Sequence, residues 1–406
     1  ALHEPYALYR GVPVMLSFLI LLTACSIFQG SKVMDSPDFS EEKMRPVVQP
    51  VYIARAIRMN KAQQQYFTRR LMHWHTTHNG RSLPWKEEKD PYKIWLSEII
   101  LQQTRAQQGL PYYLKFTEAY PRVKDLATAE DEEVFRLWQG LGYYNRCRNM
   151  LGTARYIHHD LEGKFPRTIE SIQALKGIGA YTAAAIASFA YGLPHAVVDG
   201  NVYRVLSRYF GIDTPIDSTA GKKEFTALAD QLLDKTDSAG YNQAIMDLGA
   251  TVCKPASPDC LACPLNDKCF ARKHELWNDL PVKSKKLIVK KRHFYYILFL
   301  KDNQLWIRKR TGDDIWQNLY EPFLVEHKAG LTTAELATHE LVKPLKLKKA
   351  DLQLSGRLFQ RLTHRVIETH FYLYRIKNTP AALPTGGKWV SLKELNKYAF
   401  PKSIIS

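Results

Sequence analysis

Cysteine is scarce in this 406-residue chain: there are six, and four of them fall within Cys253–Cys269. So few cysteines, so tightly grouped, exclude a secreted disulfide scaffold and point to a metal site in a reducing compartment. Acid is also short, with 40 Asp and Glu against 57 Lys and Arg, a formal net charge of +17. That excess favours a polyanionic partner, nucleic acid first, although anionic lipid or plain basicity would also accommodate it. A hydrophobic fraction of 45% and a charged fraction of 24% exclude a wholly disordered chain, a collagen-like repeat and a polytopic membrane protein. No internal repeat is visible, and the length suits two or three domains.

The apolar stretch Gly11–Phe28 is long enough for a signal-peptide core and marginal for a transmembrane helix, with Arg10 as its one flanking cation. Leu22-Thr23-Ala24-Cys25 has the form of a bacterial lipoprotein processing box, with Cys25 as the lipidated residue, so a lipid-anchored envelope protein is one reading. Asp35–Pro50 is polar and contains proline, the composition of an unstructured segment. The chain opens on Ala, and Met59 begins a new amphipathic pattern. The expectation is that residues 1–58 are not part of the native protein, which starts at Met59. An N-terminal mass tests this.

From 59 to 276 the chain reads as helices separated by Gly/Pro turns. Val202, Val205, Leu206 and Tyr209 form an i, i+3, i+4, i+7 stripe, with Arg204 and Arg208 off it. Similar periodicity around Ile94–Thr104, Glu133–Gln139 and Ala183–Phe189 makes this region all-α. Residues 277–292 end in the basic run Lys283–Arg292, read as a solvated linker. In 293–406, Phe294–Leu300, Leu305–Arg308 and Phe371–Ile376 are rich in strand formers, and Thr333–Leu341 between them is helical in pattern. This is a separate α+β domain.

Three constellations carry chemistry. Cys253, Cys260, Cys263 and Cys269 are spaced C-x6-C-x2-C-x5-C. Four thiolates on short loops hold a tetrahedral zinc or an iron–sulfur cluster, and the donor chemistry alone does not choose between them. Leu175-Lys-Gly-Ile-Gly-Ala-Tyr-Thr-Ala183 joins a glycine hairpin to the start of an apolar helix, whose free N–H groups suit a phosphate. Asp199, in Val198-Asp-Gly-Asn-Val202, is placed to cap the following helix, and the helix end would keep its carboxylate ionised. Glu98 shares a helical face with Trp95, Ile99 and Gln102, where desolvation would raise its pKa. Such a pair separates an acid from a stabilising anion, as glycosidic bond cleavage requires.

Together, Trp95-Leu-Ser-Glu-Ile-Ile-Leu-Gln-Gln-Thr104, Gly140-Leu-Gly-Tyr-Tyr-Asn-Arg146, the hairpin, the Asp199 segment and the cysteine loop resemble, in order, the MutY-type adenine DNA glycosylases. The likeness covers about residues 60–375. It implies a helix–hairpin–helix glycosylase domain with a [4Fe–4S] loop held by the four cysteines, followed by a nudix-like domain. It also implies removal of adenine mispaired with 8-oxoguanine or guanine in duplex DNA, after base flipping. On that resemblance Glu98 is the acid that protonates adenine and later activates water, and Asp199 stabilises the sugar cation. Asn201 and Tyr181 line the sugar, while Gln103 and Tyr143 fill the stack around the lesion. Thr104, Leu141, Lys176, Gly177 and Gly179 are further DNA contacts. In the C-terminal domain Leu362-Thr363-His364 falls where the family carries Phe-Ser-His, so Thr363 and His364 are expected to read the oxidised base, without the aromatic wedge. No clustered-glutamate helix is present, which implies recognition rather than pyrophosphate hydrolysis.

Tyr181 stands where bifunctional endonuclease III-type enzymes carry lysine, and a phenol forms no imine, so the resemblance implies a monofunctional enzyme. An endonuclease III-like lyase and a non-catalytic DNA-binding protein are the alternatives. The expected protein is a cytoplasmic, nucleoid-associated monomer without stable membrane association.

Overall fold

The computed structural model describes residues 59–284, 289–362 and 364–405. The N-terminal 58 residues, with their signal-like stretch, and Thr363 lie outside the described residues. Two compact units emerge. Among the described residues, one comprises 59–129 and 146–284, and the other joins 130–145 to 289–362 and 364–405. The grouping of Glu130–Asn145 with the C-terminal residues is not apparent from the helical periodicity around Glu133–Gln139.

The first unit is helical. Its longer helices begin with α1 (Lys61–His78), α2 (Pro91–Leu101) and α3 (Ala106–Ala119). The helix α4 (Asp131–Trp138) belongs to the second unit, and α5 (Tyr144–His159) re-enters the first at Arg146. Then follow α6 (Ala180–Tyr191), α7 (Gly200–Phe210), α8 (Thr219–Leu232) and α9 (Ser238–Thr251). Local signals set their starts. Asn60 and Gln63 form a capping box before α1, and Asp90 caps α2 with Pro91 at its first position. The expected stripe of α7, Val202, Val205, Leu206 and Tyr209, is buried against Phe67 and Leu71 of α1, Phe225 of α8 and Leu248 of α9. Each such side chain contributes roughly 1.5–3 kcal/mol by leaving water.

Helix α6 is packed differently. Ala183, Ala185 and Ala187 are wholly buried, and the helix lies against α2. Side chains this small let two helix backbones approach closely, which sets the spacing between the residues that each helix carries.

The second unit is built on a seven-stranded sheet. Its strands are β1 (Lys290–Lys301), β2 (Gln304–Lys309), β3 (Tyr320–Glu321), β4 (Phe323–His327), β5 (Gln353–Arg361), β6 (Arg365–Arg375) and β7 (Gly387–Ser391). The path runs β3-β2-β1-β6-β5, with β1 and β6 parallel and β5 and β6 an antiparallel hairpin. Tyr295, Ile297 and Phe299 of β1 pack with Tyr372 of β6, Leu336 and Val342 to form the core.

Two expectations are corrected. The basic run to Arg292 is not all linker: Lys290, Lys291 and Arg292 pair with Arg365, Val366 and Ile367 of β6. Backbone pairing recruits these residues although their charge suggests a solvated segment. The helix expected over Thr333–Leu341 ends at Thr338, because His339 takes an extended conformation (φ −58°, ψ 144°). Among the described residues no helix is long and apolar enough to cross a membrane.

Candidate active site

Glu98 sits in the third turn of α2 with 6% of its surface exposed. Burial pushes its carboxyl up to about 7, the Asp199 charge adds to the rise, and a hydrogen bond donated by the Tyr181 hydroxyl opposes it. Tyr181 is the second residue of α6, so the hairpin and the α2–α6 packing bring phenol and carboxyl together. Its own pKa is raised far above the usual value, by burial and by the two carboxylates, so it remains a neutral donor.

Asp199 caps α7, as expected. Its carboxylate accepts from the backbone N–H of Asn201 and of Val202, both at 2.8 Å, and from Asn201 Nδ2 at 2.7 Å. These donors and Arg204 favour the anion, but burial outweighs them and its pKa lies above the usual aspartate value. The helix end favours the ionised form, as the sequence implies, and burial acts against it. What separates the two carboxyls is the donor count. Three N–H groups commit to Asp199, while Glu98 has the phenol.

Asn201 is held in turn. Arg204 donates from Nη2 to Asn201 Oδ1 (2.7 Å) and to Gly249 O (2.6 Å), and from Nε to Cys253 O (2.7 Å). Gly249 leaves no room for more, since a Cβ there would meet Asn201 Cβ at 2.5 Å. Arg208, one turn on, donates to the carbonyls of Leu280 (3.1 Å), Lys254 (2.8 Å) and Pro255 (2.8 Å) and lies 3.4 Å from Cys253 Sγ. Both arginines are buried, so the basic residues beside the apolar stripe are not a solvated face.

The hairpin forms as expected. Gly177 has φ +82°, and a Cβ there would also strike Asn149 Cβ at 2.8 Å, so both conformation and space demand glycine. Gly179 begins α6 without a side-chain cap, and Lys176, Gly177 and Gly179 are exposed around that helix start. Thr153 Oγ1 fixes the turn by donating to Lys176 O at 2.8 Å.

Gln103 and Tyr143 share one property, a left-handed backbone at φ 53° and φ 48° on exposed residues. A non-glycine side chain in that region carries roughly 1–2 kcal/mol of strain and marks a position where orientation outranks stability. Sequence reading missed what holds the Gln103 turn. Arg146 is buried, and its Nη1 donates to the carbonyls of Ile99 (2.8 Å), Ile100 (2.9 Å) and Gln102 (2.7 Å), which end α2. Its Nη2 lies 3.4 Å from the Thr104 hydroxyl. Leu141 is 5% exposed, a core side chain that leaves only its backbone for a contact. Tyr143 and Leu141 belong to the second unit.

A second missed cluster surrounds Asp247 on α9, which is wholly buried. Its carboxylate accepts from Asn79 Nδ2 at 2.6 Å, Arg81 Nη1 at 2.8 Å and Lys86 Nζ. Arg81 and Lys86 flank Leu83-Pro84-Trp85, but no sequence signal links them to a carboxylate 166 and 161 residues away.

Cys253, Cys260, Cys263 and Cys269 line one cavity with Arg208, Arg272 and Trp277. Among the described residues no three His, Cys, Asp or Glu side chains gather tightly enough for a single metal ion. Burial, with the neighbouring thiols, pushes Cys263 up to about 12, and Cys260 and Cys269 are raised for the same reason. The four cysteines surround a common space, a donor set that could hold a metal centre as thiolates. In the second unit His364 is exposed at the turn between β5 and β6, and its carbonyl accepts from Lys290 N at 3.0 Å.

Comparison with known proteins follows the same division. The HhH-GPD superfamily base excision DNA repair protein family matches residues 96–231, and the NUDIX domain family matches residues 294–405. An adenine DNA glycosylase of Buchnera aphidicola subsp. Schizaphis graminum is 31% identical over 338 residues, which cover 83% of this chain and 96% of that one. An adenine DNA glycosylase of Homo sapiens is 42% identical over 220 residues, 52% of this chain and 40% of the human one. Among solved structures, a thermostable thymine-DNA glycosylase matches with a TM-score of 0.48 at 30% identity, covering 52% of this chain and 97% of its own.

Proposed function

The chain belongs to the adenine DNA glycosylases of base excision repair, and from that premise we propose a monofunctional enzyme that removes adenine from A·8-oxoguanine and A·G pairs. The observation that carries the reading is the Glu98–Tyr181–Asp199 arrangement, in which an acid poised near 7 is hydrogen-bonded to a phenol beside a capped carboxylate.

The proposed sequence begins with extrusion of the adenine, at a cost of a few kcal/mol. Glu98, half protonated near neutral pH, gives its proton to the base as the glycosidic bond lengthens. Asp199, held by its three N–H donors, faces the sugar carbon as positive charge develops. Glu98, now anionic, takes a proton from the attacking water. Tyr181 holds the Glu98 carboxyl in place throughout and supplies no amine, so no imine forms and the strand stays intact. Asn201 orients Asp199, and Gln103 and Tyr143 fill the stack around the lesion. The exposed hairpin residues Lys176, Gly177 and Gly179 take backbone phosphate.

The four cysteines would hold a [4Fe–4S] cluster, which when bound would brace the loop that Arg208 already anchors. The C-terminal unit would read the base opposite adenine through Thr363 and His364. Incubation with an A·8-oxoguanine duplex, with and without alkali, tests the whole. Cleavage at adenine only after alkali is expected. Cleavage without alkali would mean an endonuclease III-like lyase, and no cleavage by the cluster-loaded protein would leave only DNA binding.

A further inference from the structure

The hairpin strand β5 carries an exposed feature that none of these roles uses. Arg357, Phe359 and Arg361 alternate along it, all three are exposed, and Phe359 shows 64% of its surface. Alternation places them on one face. Strand register extends that face inward. Arg357 stands opposite His370, Phe359 opposite Glu368 and Arg361 opposite Val366 on β6, and Glu368 and Val366 pair in turn with His293 and Lys291 on β1.

The patch therefore gathers three permanent cations around one acid. Glu368 is already committed, to Lys291 Nζ at 3.0 Å and His370 Nε2 at 3.0 Å. Neither arginine of the stripe has a carboxylate within ion-pair distance among the described residues. An aromatic ring left in water between two guanidiniums is not a core residue out of place. β5 ends the sheet path, and the residues facing the stripe from β6 are His370, Glu368 and Val366. The combination matches a polyanion with flat apolar surfaces, which is what a nucleic-acid strand presents. It also leads directly to the turn that contains Leu362, where an aromatic side chain is lacking.

We propose that Arg357, Phe359 and Arg361 form a duplex-DNA contact on the open face of β5, with the guanidiniums on phosphates and the ring against the sugar and base edge between them. The stripe spans roughly 13 Å, about four base-pair rises of a duplex strand. The contact supplies from the strand the apolar grip that Leu362 does not supply from the turn. It rests on the reading of this chain as a DNA glycosylase.

The test uses the full chain, and its binding to an undamaged duplex is followed from about 50 to 200 mM salt. Arg357→Ala with Arg361→Ala should weaken binding and flatten the log–log salt slope by about 2, close to 0.9 per lost phosphate contact. Lysine at both positions should restore the slope, which loss of fold would not allow. Phe359→Ala should weaken binding roughly tenfold at unchanged slope, the signature of a lost apolar contact rather than lost charge. Slope and affinity equal to the unsubstituted protein in all three variants would overturn the inference and leave the stripe to a protein partner. Adenine release from an A·8-oxoguanine duplex, measured in parallel on the unsubstituted protein, separates the two readings. Its absence would count against the glycosylase, while the salt slopes would still decide the contact.

Discussion

Replacing Glu98 with glutamine should destroy activity and stabilise the protein, and the second effect depends on pH in a way that can be worked out. The folded carboxyl titrates at about 7 against an ordinary 4.5. An acid whose pKa rises on folding costs nothing below its unfolded value, where both states are protonated. Between 4.5 and 7 the unfolded state releases the proton and the folded state keeps it, so stability falls as pH rises. Above 7 the full cost applies, about 3 kcal/mol at 1.36 kcal/mol per pH unit. Glutamine keeps the shape and can still accept from Tyr181, but it never ionises. The Glu98→Gln variant should therefore gain about 1 kcal/mol near pH 5 and about 3 kcal/mol near pH 8.5. For a helical unit of this size that is a rise in Tm of roughly 6–12 °C at the higher pH. Calorimetry on the full chain across this pH range reads it directly. A gain that does not change with pH, or no gain at all, would refute the argument, because the carboxyl would then not be the protonated acid in the folded state.

Other perturbations follow from the same structure. Arg146→Met leaves the carbonyls of Ile99, Ile100 and Gln102 without their donor. It should cost about 3 kcal/mol or more by denaturant unfolding and slow adenine release with little change in salt dependence. Tyr181→Lys puts an amine beside Glu98 and Asp199, and strand cleavage without alkali, trapped by borohydride, should appear. Arg208→Met removes the buried donor to Lys254 and Pro255 and should lower iron content per chain in metal analysis. Base release by the unsubstituted enzyme should fall as pH rises through about 7, where Glu98 loses its proton.

Residues whose role follows from local pattern could be read from the sequence alone. Asp199 before an amphipathic run, the Gly177 turn and the α7 stripe each depend on neighbours within one or two helical turns, and each stands where the pattern puts it. The buried arginines were not legible. Arg204 and Arg208 flank an apolar stripe just as solvated cations do, and only the carbonyls of Gly249, Cys253, Lys254 and Pro255, brought in by folding, turn them inward. Asp247 is the same case with the sign reversed. The placement of Lys290–Arg292 in a strand depends on partners more than seventy residues away, which charge pattern cannot report. The raised pKa of Asp199 was missed because helix capping is local and burial is not.

Helix α6 shows how the chemistry can fail at a distance. Its methyl side chains at Ala183, Ala185 and Ala187 have no exposed surface, and the helix carries Tyr181 on one side of the packing while α2 carries Glu98 on the other. A larger residue at Ala185, one turn from Tyr181 on the same helical face, would cost about 1–3 kcal/mol as overpacking, which the fold can survive. The phenol–carboxyl hydrogen bond has much less slack, because a few tenths of an ångström is a large fraction of its tolerance. Substitutions of Ala185 by larger residues therefore define a class of variants that accumulate as soluble, folded protein and yet allow mutations to persist in the genome. In a survey of natural variation, such changes would pass every test of abundance, and only a direct assay of base release would expose them.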